Sequence, residues 1–456
     1  MLSYSYCLQR YQIISYQTTT HNIDPGLFLS PSSNFLSYIC NMIQLPPSKS
    51  IGARYLVATY FTGFLPADPL FDDNDDLLLL QEALLEIYSD EEPIDYGDSP
   101  IDVGASGTAL RFVTAVCASS PGADYVITGT QRLMERPMKP LIDLLREAGA
   151  GIQSLGNDES GPYRITGNNL QGGTFSIRGD ISSQFISALM LVAPSWEKGM
   201  KLFFSTPLVS QPYIEMTARL MEKFGIDVVL TEEYVEVGKG KYREAKDFQV
   251  EADWSSAAFF YEACALGAKE VELENLRAPM YSLQGDAKAQ ELFHNLGVDS
   301  EFNNQGAILT PSAVSIEKVN FDFKDCPDLL LPFAVSCLCK GVKFRFTNVS
   351  HLRLKESDRI SSLQTEARKL GFLINAGDDY VEWNGDIIPT EEEILIDTHD
   401  DHRVAMAFAM AAFKFGKIRI SHPEVVEKSF IDFWNQIPKI GLVCEEHEEV
   451  MTVTYQ

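Results

Sequence analysis

The sequence predicts an α/β protein built from repeated small units. Five amphipathic helical stretches each end in a glycine and then lead into an apolar, strand-like stretch. The glycines are Gly149, Gly225, Gly297, Gly371 and Gly441, so successive endings are 76, 72, 74 and 70 residues apart. This period exceeds that of the common solenoid repeats, and the chain has room for about six units of this length.

Length and composition indicate a multidomain globular protein. The chain has 456 residues, of which 45% are hydrophobic and 22% are charged, and a domain-size argument predicts about two to four domains. Its net charge of -27 opposes nonspecific binding to nucleic acid. No window reaches about eighteen consecutive apolar residues, so we expect no membrane span. Any anionic ligand must therefore be attracted by a local group of cations.

The cysteines and the N-terminus indicate a cytoplasmic protein. The eight cysteines form no C-x-x-C pair, and Cys337 and Cys339 lie in an apolar run where buried, inert thiols are expected. The N-terminal stretch "MLSYSYCLQRYQIISYQTTTHNIDPG" has one arginine and no sustained apolar segment, so we do not expect a signal peptide.

The first two motifs precede predicted helices with hydroxyl, glycine and cationic residues. "LPPSKSIGARYL" supplies Lys49, Ser50 and Arg54, although a capped helix with one solvated lysine would have the same residues. "GASGTALRF" places Gly107 in a loop whose backbone could approach a phosphate closely. It is neither a Walker A loop nor a G-x-G-x-x-G motif, so nucleotide binding is not predicted.

The next two motifs have the same character. "ERPMKPLIDLL" puts Arg136 before Pro137, which suits the first position of the helix that ends at Gly149. "DISSQFISALM" offers Ser182, Ser183 and Gln184 at another helix start, where ordinary capping is the alternative.

The stretch "LRLKESDRISSLQTEARKLG" concentrates charge immediately before a helix. Lys355, Glu356, Asp358 and Arg359 precede a helical pattern that stops at Gly371. The first N–H groups of a helix lack partners and its dipole is positive there, so an anion is favoured. A capping Ser357 or Asp358 in a solvated turn is the alternative for the isolated motif.

Three motifs in the second half add a carboxylate and two cations. "DCPDLLLPFAV" contains Asp328, for which an N-cap is the alternative, and "VVEKSFIDFW" places Lys428 ahead of a helix. "DTHDDHRVAMAFAM" places Arg403 at the start of an apolar helix. Its histidines at i and i+3 would need further metal ligands that the sequence does not offer, so no metal site is predicted.

Together these motifs predict one site for a small, multiply anionic ligand. Helix starts with Lys, Arg, Ser or Gly would converge on it if the units pack with these ends toward one cleft. Asp328 and Glu356 would be the carboxylates available for proton transfer. Nearby cations would lower the pKa of both carboxyl groups and keep a base ionised.

In order, nine motifs from about Leu45 to Phe433 resemble the 5-enolpyruvylshikimate-3-phosphate synthase family. They are "PPSKS", "SGTALR", "ERPMKPL", "SSQFISALM", "LVSQPYIEMT", "EADWSSAAFF", "LKESDR", "DDHRVAMAF" and "EKSFIDFW". The resemblance implies a two-domain inside-out α/β barrel with three βαβαββ units per domain and helix N-termini facing the interdomain cleft. It implies an N-terminal extension and strand joining the C-terminal domain (1–46), a first domain (47–248) and a second domain (249–456).

The resemblance also implies the activity. The enolpyruvyl group of phosphoenolpyruvate would pass to the 5-hydroxyl of shikimate 3-phosphate, with release of phosphate through a tetrahedral intermediate, in chorismate and aromatic amino-acid biosynthesis. Asp328 would accept the hydroxyl proton, while Glu356, together with Lys49, would protonate C3. Neither a metal nor an organic cofactor is implied. We expect a monomer whose partners are these two small anions, with neither nucleic acid nor a membrane.

The binding residues follow from the same resemblance. Shikimate 3-phosphate would contact Lys49, Ser50, Arg54, Ser182, Ser183, Gln184, Ser210, Asp328 and Lys355. Phosphoenolpyruvate would contact Lys49, Gly107, Arg136, Gln184, Arg359, Arg403 and Lys428. Among these, Arg359 and Arg403 suit the carboxylate, because a planar guanidinium can bind it through two hydrogen bonds.

Several positions depart from the family pattern, and two other functions compete. Ala105 stands where asparagine is usual, and "SIGAR" replaces the usual "SISNR". Gln211 replaces a common lysine, and His351 stands where some members have asparagine. The sister enzyme that acts on UDP-N-acetylglucosamine carries a reactive cysteine in the loop corresponding to "GTQRLMERPM", which has none here. A non-catalytic anion-binding relative would have no use for the paired carboxylates Asp328 and Glu356.

Overall fold

A computed structural model describes residues 42–72, 74–88, 100–157, 159–267 and 269–456. The chain divides into a unit of Met1–Met42 and a unit of Ile43–Gln456, and the elements below belong to the second. The N-terminal stretch tested for a signal peptide lies outside the described residues.

Fourteen α-helices occur within the described residues. They are α1 (Lys49–Thr62), α2 (Asp75–Tyr88), α3 (Gly107–Ala118), α4 (Gln131–Met134), α5 (Lys139–Glu147), α6 (Ser183–Val192), α7 (Gln211–Lys223), α8 (Trp254–Gly267), α9 (Ala289–Asn295), α10 (Leu330–Lys340), α11 (Arg359–Lys369), α12 (His402–Met410), α13 (Ala412–Phe415) and α14 (Phe433–Gln436). Short 3₁₀ turns span Ala193–Ser195, Pro279–Tyr281, Gly285–Lys288, Pro327–Leu329, Ser350–Leu354, Pro423–Lys428 and Ile437–Ile440.

Nineteen strands occur in the same residues. They are β1 (Ile101–Asp102), β2 (Asp124–Thr128), β3 (Gly151–Ser154), β4 (Tyr163–Thr166), β5 (Gly173–Ile177), β6 (Met200–Phe204), β7 (Val228–Leu230), β8 (Tyr234–Val237), β9 (Val271–Glu274), β10 (Val298–Asn303), β11 (Gly306–Pro311), β12 (Lys318–Asp322), β13 (Lys343–Thr347), β14 (Asn375–Ala376), β15 (Tyr380–Trp383), β16 (Leu395–Ile396), β17 (Lys417–Ser421), β18 (Leu442–His447) and β19 (Val450–Tyr455).

Four of the five described sheets share one strand order. The orders are β1-β2-β4-β3, β5-β6-β8-β7, β12-β13-β15-β14 and β16-β17-β19-β18. In each sheet the first two strands are parallel and the other pairs are antiparallel. The fifth sheet, β10-β11-β9, is antiparallel, and Ile43 adds a parallel bridge to Leu273 of β9. The fold is therefore α/β with mixed sheets.

The five predicted helix endings occur at the predicted glycines. All five have positive φ, between 80° and 113°, a conformation that glycine adopts without steric cost. The next strand along the chain is β3, β7, β10, β14 or β18, and each is the edge strand of its sheet. The predicted succession of helix, glycine and strand is confirmed at four positions, and a 3₁₀ turn precedes the fifth glycine, Gly441.

The last of these endings is irregular. α14 has only four residues, and the 3₁₀ turn Ile437–Ile440 separates it from the strand-leading Gly441. Pro438 has no N–H to donate, so a regular α-helical ladder cannot continue through this position. A predicted continuous helix is thus replaced by a helix and a tighter turn.

Buried hydrophobic side chains form two clusters. The N-terminal cluster comprises buried hydrophobic residues between positions 51 and 242, and the C-terminal cluster comprises Ile43 and buried hydrophobic residues between 252 and 453. The N-terminal cluster ends at residue 242 and the C-terminal cluster continues from residue 252. The expected boundary at 248 lies between these positions. The division into domains 1–46, 47–248 and 249–456 stays a prediction.

The helices and cysteines fit the expectations about burial. The longest helices have 14 residues, and among the described residues no helix has the length and apolar character needed to cross a membrane. Cys337 and Cys339 are buried and free. Burial raises the pKa of both thiols, which disfavours the reactive thiolate.

Candidate active site

Four helix starts that carry candidate residues are capped by side chains. Ser48, Ser106, Asp358 and Asp401 accept hydrogen bonds from backbone N–H groups in the first turns of α1, α3, α11 and α12. Each cap satisfies donors that would otherwise lack partners. The first turns of these helices hold Lys49, Gly107, Arg359 and Arg403.

Two helix starts differ from the prediction. α5 begins at Lys139 instead of Pro137, and Arg136 lies in the turn between α4 and α5. Lys428 ends the 3₁₀ turn Pro423–Lys428, and α14 starts only at Phe433. Arg136 and Lys428 are therefore turn residues, and neither lies at a helix N-terminus.

Asp328 lies between two arginines. Arg359 Nη1 is 2.7 Å from Asp328 Oδ1, and Arg403 Nη2 is 3.0 Å from Asp328 Oδ2. Lys355 Nζ is 3.9 Å from Oδ1, and the Tyr213 hydroxyl donates to Oδ2 at 3.4 Å. The carboxylate thus contacts three cations, and the alternative that Asp328 only caps α10 is wrong, since the start of α10 has no side-chain cap.

The charge state of Asp328 follows from these contacts. Burial alone would raise the pKa of its carboxyl, but the positive charges of Arg403, Lys355 and Arg359 hold that pKa well below its usual range. Asp328 is therefore ionised at neutral pH, as a proton acceptor must be.

Glu356 is joined to the same arrangement. Its Oε2 is 3.0 Å from Arg359 Nη2, and its Oε1 is 3.8 Å from Lys428 Nζ. Burial opposes ionisation, but Arg359, Lys428 and Arg136 together hold the pKa of Glu356 well below its usual range. Two carboxylates are thus held ionised around one arginine.

Asp401 fixes Arg359 from the other side. Asp401 Oδ2 accepts from Arg359 Nε at 2.8 Å and from the Ser357 hydroxyl at 3.1 Å, while Oδ1 accepts from Arg403 N at 3.0 Å. Its side chain is fully buried. One carboxylate therefore orients both arginines. The set Asp328, Lys355, Glu356, Arg359, Asp401, Arg403 and Lys428 is called the charged cluster below.

Two lysines connect the charged cluster with the N-terminal half of the chain. Lys428 Nζ donates to the backbone oxygen of Ala105 at 3.1 Å. Lys49 Nζ is 3.1 Å from Asp76 Oδ2 in α2. Burial lowers the pKa of His402, and the positive charge of Lys49 is the next largest cause. Lys49 and Lys428 therefore both lie in electrostatic range of the charged cluster.

Gly107 lies where two guanidinium groups leave no space for a side chain. A Cβ at this position would overlap Nη1 of both Arg111 and Arg136. Arg111 Nη1 donates to the Gly107 carbonyl at 2.6 Å, and burial followed by repulsion from Arg136 lowers the Arg111 pKa to about 9. Arg111 adds a cation that the motifs did not indicate.

The polar residues of α6 and α7 lie at the predicted helix starts. Ser182 precedes α6 and Ser183 begins it, and Gln184 Nε2 donates to the Thr108 hydroxyl at 2.8 Å. Ser210 adopts a left-handed conformation with φ 55°, and its N–H donates to the Lys324 carbonyl at 3.1 Å. These side chains lie on the part of the chain that carries the N-terminal cluster.

Arg54 is buried, and protein groups use its donors. Its Nε donates to Thr217 at 2.6 Å, its Nη1 to the carbonyl of Ser50 at 2.6 Å, and its Nη2 to Ser187 at 3.0 Å. Arg54 therefore links α1 with α6 and α7. Its contact with shikimate 3-phosphate stays a prediction.

Two further buried carboxyl groups face the charged cluster. Asp253 Oδ2 accepts from Ser256 N at 2.9 Å at the start of α8, and the Ser255 hydroxyl donates to Asp286. Burial, and then the negative charge of Asp328, raise the pKa of Asp286 to about 7. At neutral pH Asp286 is therefore only partly ionised, whereas Asp328 is ionised.

Some of these residues could have been found in the sequence. Arg111 is a charged residue inside the apolar run "ALRFVTAV", which signals a buried cation. Asp401 lies in the motif "DTHDDHRVAMAFAM", but no local pattern indicates that it holds Arg359. In the described residues no group of three or more His, Cys, Asp or Glu could hold a metal ion. No local pattern indicates that Asp76 pairs with Lys49.

A sequence model of EPSP synthase (3-phosphoshikimate 1-carboxyvinyltransferase) matches residues 81–437. The 3-phosphoshikimate 1-carboxyvinyltransferase of Bacteroides fragilis is 38% identical over 416 residues, which cover 91% of this chain and 98% of that protein. The enzyme of the same name from Vibrio atlanticus is 32% identical over 421 residues, covering 88% and 96%.

A solved structure adds the fold. EPSP synthase from Acinetobacter baumannii has a TM-score of 0.66 with this chain at 24% sequence identity, covering 90% of this chain and 97% of that one. At this identity the likeness concerns the fold alone. The sequence match spans most of the chain and includes the charged cluster, and the chain belongs to the EPSP synthase (3-phosphoshikimate 1-carboxyvinyltransferase) family.

Proposed function

We propose that the charged cluster is the site at which this chain transfers the enolpyruvyl group of phosphoenolpyruvate to the 5-hydroxyl of shikimate 3-phosphate. Phosphate is the second product, and the reaction belongs to chorismate and aromatic amino-acid biosynthesis. Family membership supports this transfer. Transfer to UDP-N-acetylglucosamine is not favoured, and the loop "GTQRLMERPM" lacks the cysteine of that sister enzyme.

Phosphoenolpyruvate would be held by Arg359 and Arg403 at its carboxylate. Nε of Arg136 and Nε of Arg403 are buried and without a hydrogen-bond partner among the described residues, so both can donate to an anion. We assign the remaining contacts as the family pattern suggests. They comprise Lys49, Gly107, Gln184 and Lys428 for phosphoenolpyruvate, and Lys49, Ser50, Arg54, Ser182, Ser183, Gln184, Ser210, Asp328 and Lys355 for shikimate 3-phosphate.

Asp328 would act as the general base and Glu356 as the proton donor. The oxygen of the 5-hydroxyl attacks C2 of phosphoenolpyruvate, and the ionised Asp328 takes the proton of that hydroxyl. The negative charge of bound phosphoenolpyruvate raises the pKa of Glu356, so that Glu356, assisted by Lys49, can carry a proton to C3. Elimination then expels phosphate and returns the C3 proton, and the surrounding cations stabilise the charge that develops.

We also propose the finer architecture that the motifs imply. It is a two-domain inside-out α/β barrel, with three βαβαββ units in each domain and helix N-termini at the cleft between them. The shared strand order of four sheets and the two hydrophobic clusters support it. A monomeric state and a cytoplasmic location belong to the same proposal.

The observation that carries the proposal is the carboxylate of Asp328 between Arg359 and Arg403, with Glu356 on the same Arg359. An anion-binding protein needs the arginines, but it does not need two ionised carboxylates among them.

The test is phosphate release by the purified chain. We expect release only when shikimate 3-phosphate and phosphoenolpyruvate are supplied together, and none with either alone. Binding of both compounds without any release would contradict the proposal and favour a non-catalytic relative. Release with UDP-N-acetylglucosamine in place of shikimate 3-phosphate would favour the sister activity.

A further inference from the structure

A buried glutamate of α11 has no role in the mechanism above. Glu366 lies seven residues after Arg359, two helical turns along the same face. Its Oε2 accepts from Lys369 Nζ at 2.6 Å and from Asp397 N at 3.0 Å, and its Oε1 is 2.8 Å from His399 Nε2. The side chain is fully buried. Glu366 therefore joins α11 to the segment 397–400.

The segment 397–400 needs such support. His399 and Asp400 have φ of 51° and 56°, so two consecutive residues with side chains adopt the left-handed conformation. This conformation is sterically unfavourable for residues with a side chain, and it persists only where surrounding contacts enforce it. Inside the segment, Asp397 accepts from His399 N at 2.8 Å. Glu366 supplies contacts from outside it.

The segment leads directly to the residues that orient the arginines. Asp401 follows it, caps α12, and accepts from Arg359 Nε and from Arg403 N. Arg359 begins α11 and Arg403 lies in the first turn of α12. A carboxylate that ties α11 to the residues just before α12 thus fixes the distance between the two arginines.

We propose that Glu366 is a positioning residue for phosphoenolpyruvate. Through His399 and the backbone of Asp397, it sets the spacing of Arg359 and Arg403 and so the affinity for the phosphoenolpyruvate carboxylate. This inference rests on the proposed function, because it assumes that the two arginines bind that carboxylate.

The substrate dependence of the effect separates this role from ordinary structural support. Shikimate 3-phosphate is assigned mainly to residues outside α11 and α12. Loss of Glu366 should therefore raise the KM for phosphoenolpyruvate and leave the KM for shikimate 3-phosphate nearly unchanged. General loosening of the fold would lower the melting temperature and affect both substrates alike.

The main variant is Glu366→Gln, which keeps the size of the side chain and removes its charge. A misplaced pair of arginines should raise the KM for phosphoenolpyruvate roughly tenfold, with the KM for shikimate 3-phosphate within about twofold. Glu382→Gln is the matched control, because Glu382 pairs with Arg345 at 2.6 Å on β15, away from the charged cluster. The control should change neither KM.

A second variant covers the case in which Glu366→Gln does not fold. His399→Phe removes one contact of Glu366 and keeps those from Lys369 and Asp397. It should raise the KM for phosphoenolpyruvate in the same direction, by several-fold, whereas His399→Gln, which keeps a side-chain donor, should restore part of the affinity.

The outcomes are distinguishable from failure of the proposed function. An inactive wild-type chain overturns both proposals. If the wild type is active but the variants change both KM values equally, or only lower the melting temperature, the role of Glu366 is overturned and the proposed function is not. A selective rise in the KM for phosphoenolpyruvate in both Glu366→Gln and His399→Phe supports it.

Discussion

At the scale of single residues, the site depends on how the negative charge of the Asp328 carboxylate is compensated. Removing a carboxylate from water costs several kcal/mol, and the attraction of partners repays this only when the geometry is good. Arg359 and Arg403 each contact a different oxygen of Asp328, at 2.7 and 3.0 Å. This compensation keeps the Asp328 carboxylate ionised, which its proposed role as a general base requires.

Asp328→Ala should abolish turnover and leave substrate binding largely intact. A general base contributes about 10²- to 10⁴-fold to the rate, so kcat should fall by about three orders of magnitude. The affinity for each substrate should stay within roughly tenfold, because the group acts mainly in the transition state. Phosphate release and equilibrium titration measure the two effects.

The control for this variant is Asp227→Asn, which removes an exposed carboxylate just before β7. It should leave kcat unchanged. Loss of substrate binding in Asp328→Ala, in parallel with the loss of turnover, would show instead that Asp328 mainly positions Arg359 and Arg403.

Sequence reasoning identified individual residues better than their partners. Local motifs indicated Arg359, Arg403 and Lys428, because charges next to a helix pattern are visible in the sequence. They did not indicate that Asp401 holds Arg359 or that Asp76 contacts Lys49. Such pairs depend on how distant elements pack, which no local pattern records.

At the scale of elements, most helices follow their apolar pattern, but α8 contains an exception. Both carboxyl oxygens of Glu262 are buried and have no hydrogen-bond partner among the described residues. Burial raises the pKa of Glu262 well above its ordinary value of 4.5. The neighbouring α10 offers the thiols of Cys337 and Cys339, and neither hydrogen-bonds to Glu262 in the described contacts.

Glu262→Gln should stabilise the protein at neutral pH. The folded state holds a proton on Glu262 that the unfolded state releases above its pKa of about 4.5, so folding stability falls as pH rises from that value toward the raised pKa. Glutamine removes this dependence. We expect Glu262→Gln to have a higher free energy of unfolding than the wild type at pH 7.5 and little gain at pH 4.5, measured by urea unfolding at both values.

Glu270→Gln serves as the control for Glu262→Gln, because Glu270 is exposed in the connection directly before β9. Its unfolding free energy should match that of the wild type at both pH values. If Glu262→Gln and the wild type were equally stable at pH 7.5, burial of the Glu262 carboxyl would not reduce the free energy of unfolding at that pH.

Element boundaries were predictable where glycine or proline determines them. All five predicted glycines have positive φ, because glycine, which lacks a Cβ, adopts this conformation without steric cost. The start of α5 was placed two residues early, since Pro137 tolerates the first helical position without requiring it. The shortened α14 follows from Pro438, whose effect the apolar pattern concealed.

At the scale of the whole molecule, a negative net charge coexists with a local group of cations. The net charge is -27, but interactions between exposed charges are screened beyond about 8 Å at physiological ionic strength. The buried charged cluster is screened much less. The composition predicted that any anion site must be a local group of cations. The repeat pattern could not give the position of this site, because that position depends on contacts between the two halves of the chain.

Asn74 makes one of these contacts. Its Oδ1 accepts from Leu77 N at 3.2 Å at the start of α2, and its Nδ2 donates to the Ser429 carbonyl at 3.3 Å. The side chain is fully buried. Asn74 therefore caps a helix in the first half of the chain and binds the residue next to Lys428 in the second.

Asn74→Asp should weaken the binding of phosphoenolpyruvate. Aspartate keeps the cap but loses the donor to Ser429, so the arrangement that brings Lys428 to the site is less populated. One net hydrogen bond is worth about 1 kcal/mol, which corresponds to a rise in KM of about fivefold. Steady-state kinetics with each substrate varied in turn measures this change.

Asn303→Asp makes the same chemical change at the exposed last residue of β10, whose side-chain oxygen accepts from Gln305 N and Gly306 N. Its KM values should equal those of the wild type. If Asn74→Asp also kept the wild-type KM, the contact with Ser429 would have no influence on Lys428.

The bond from Lys428 to residue 105 ends on a main-chain oxygen. Every amino acid offers that same acceptor, so the identity of the side chain at this position can drift during evolution without loss of the link. Alanine at position 105 therefore keeps this link between the two halves of the chain, and any other residue with the same backbone position would keep it too.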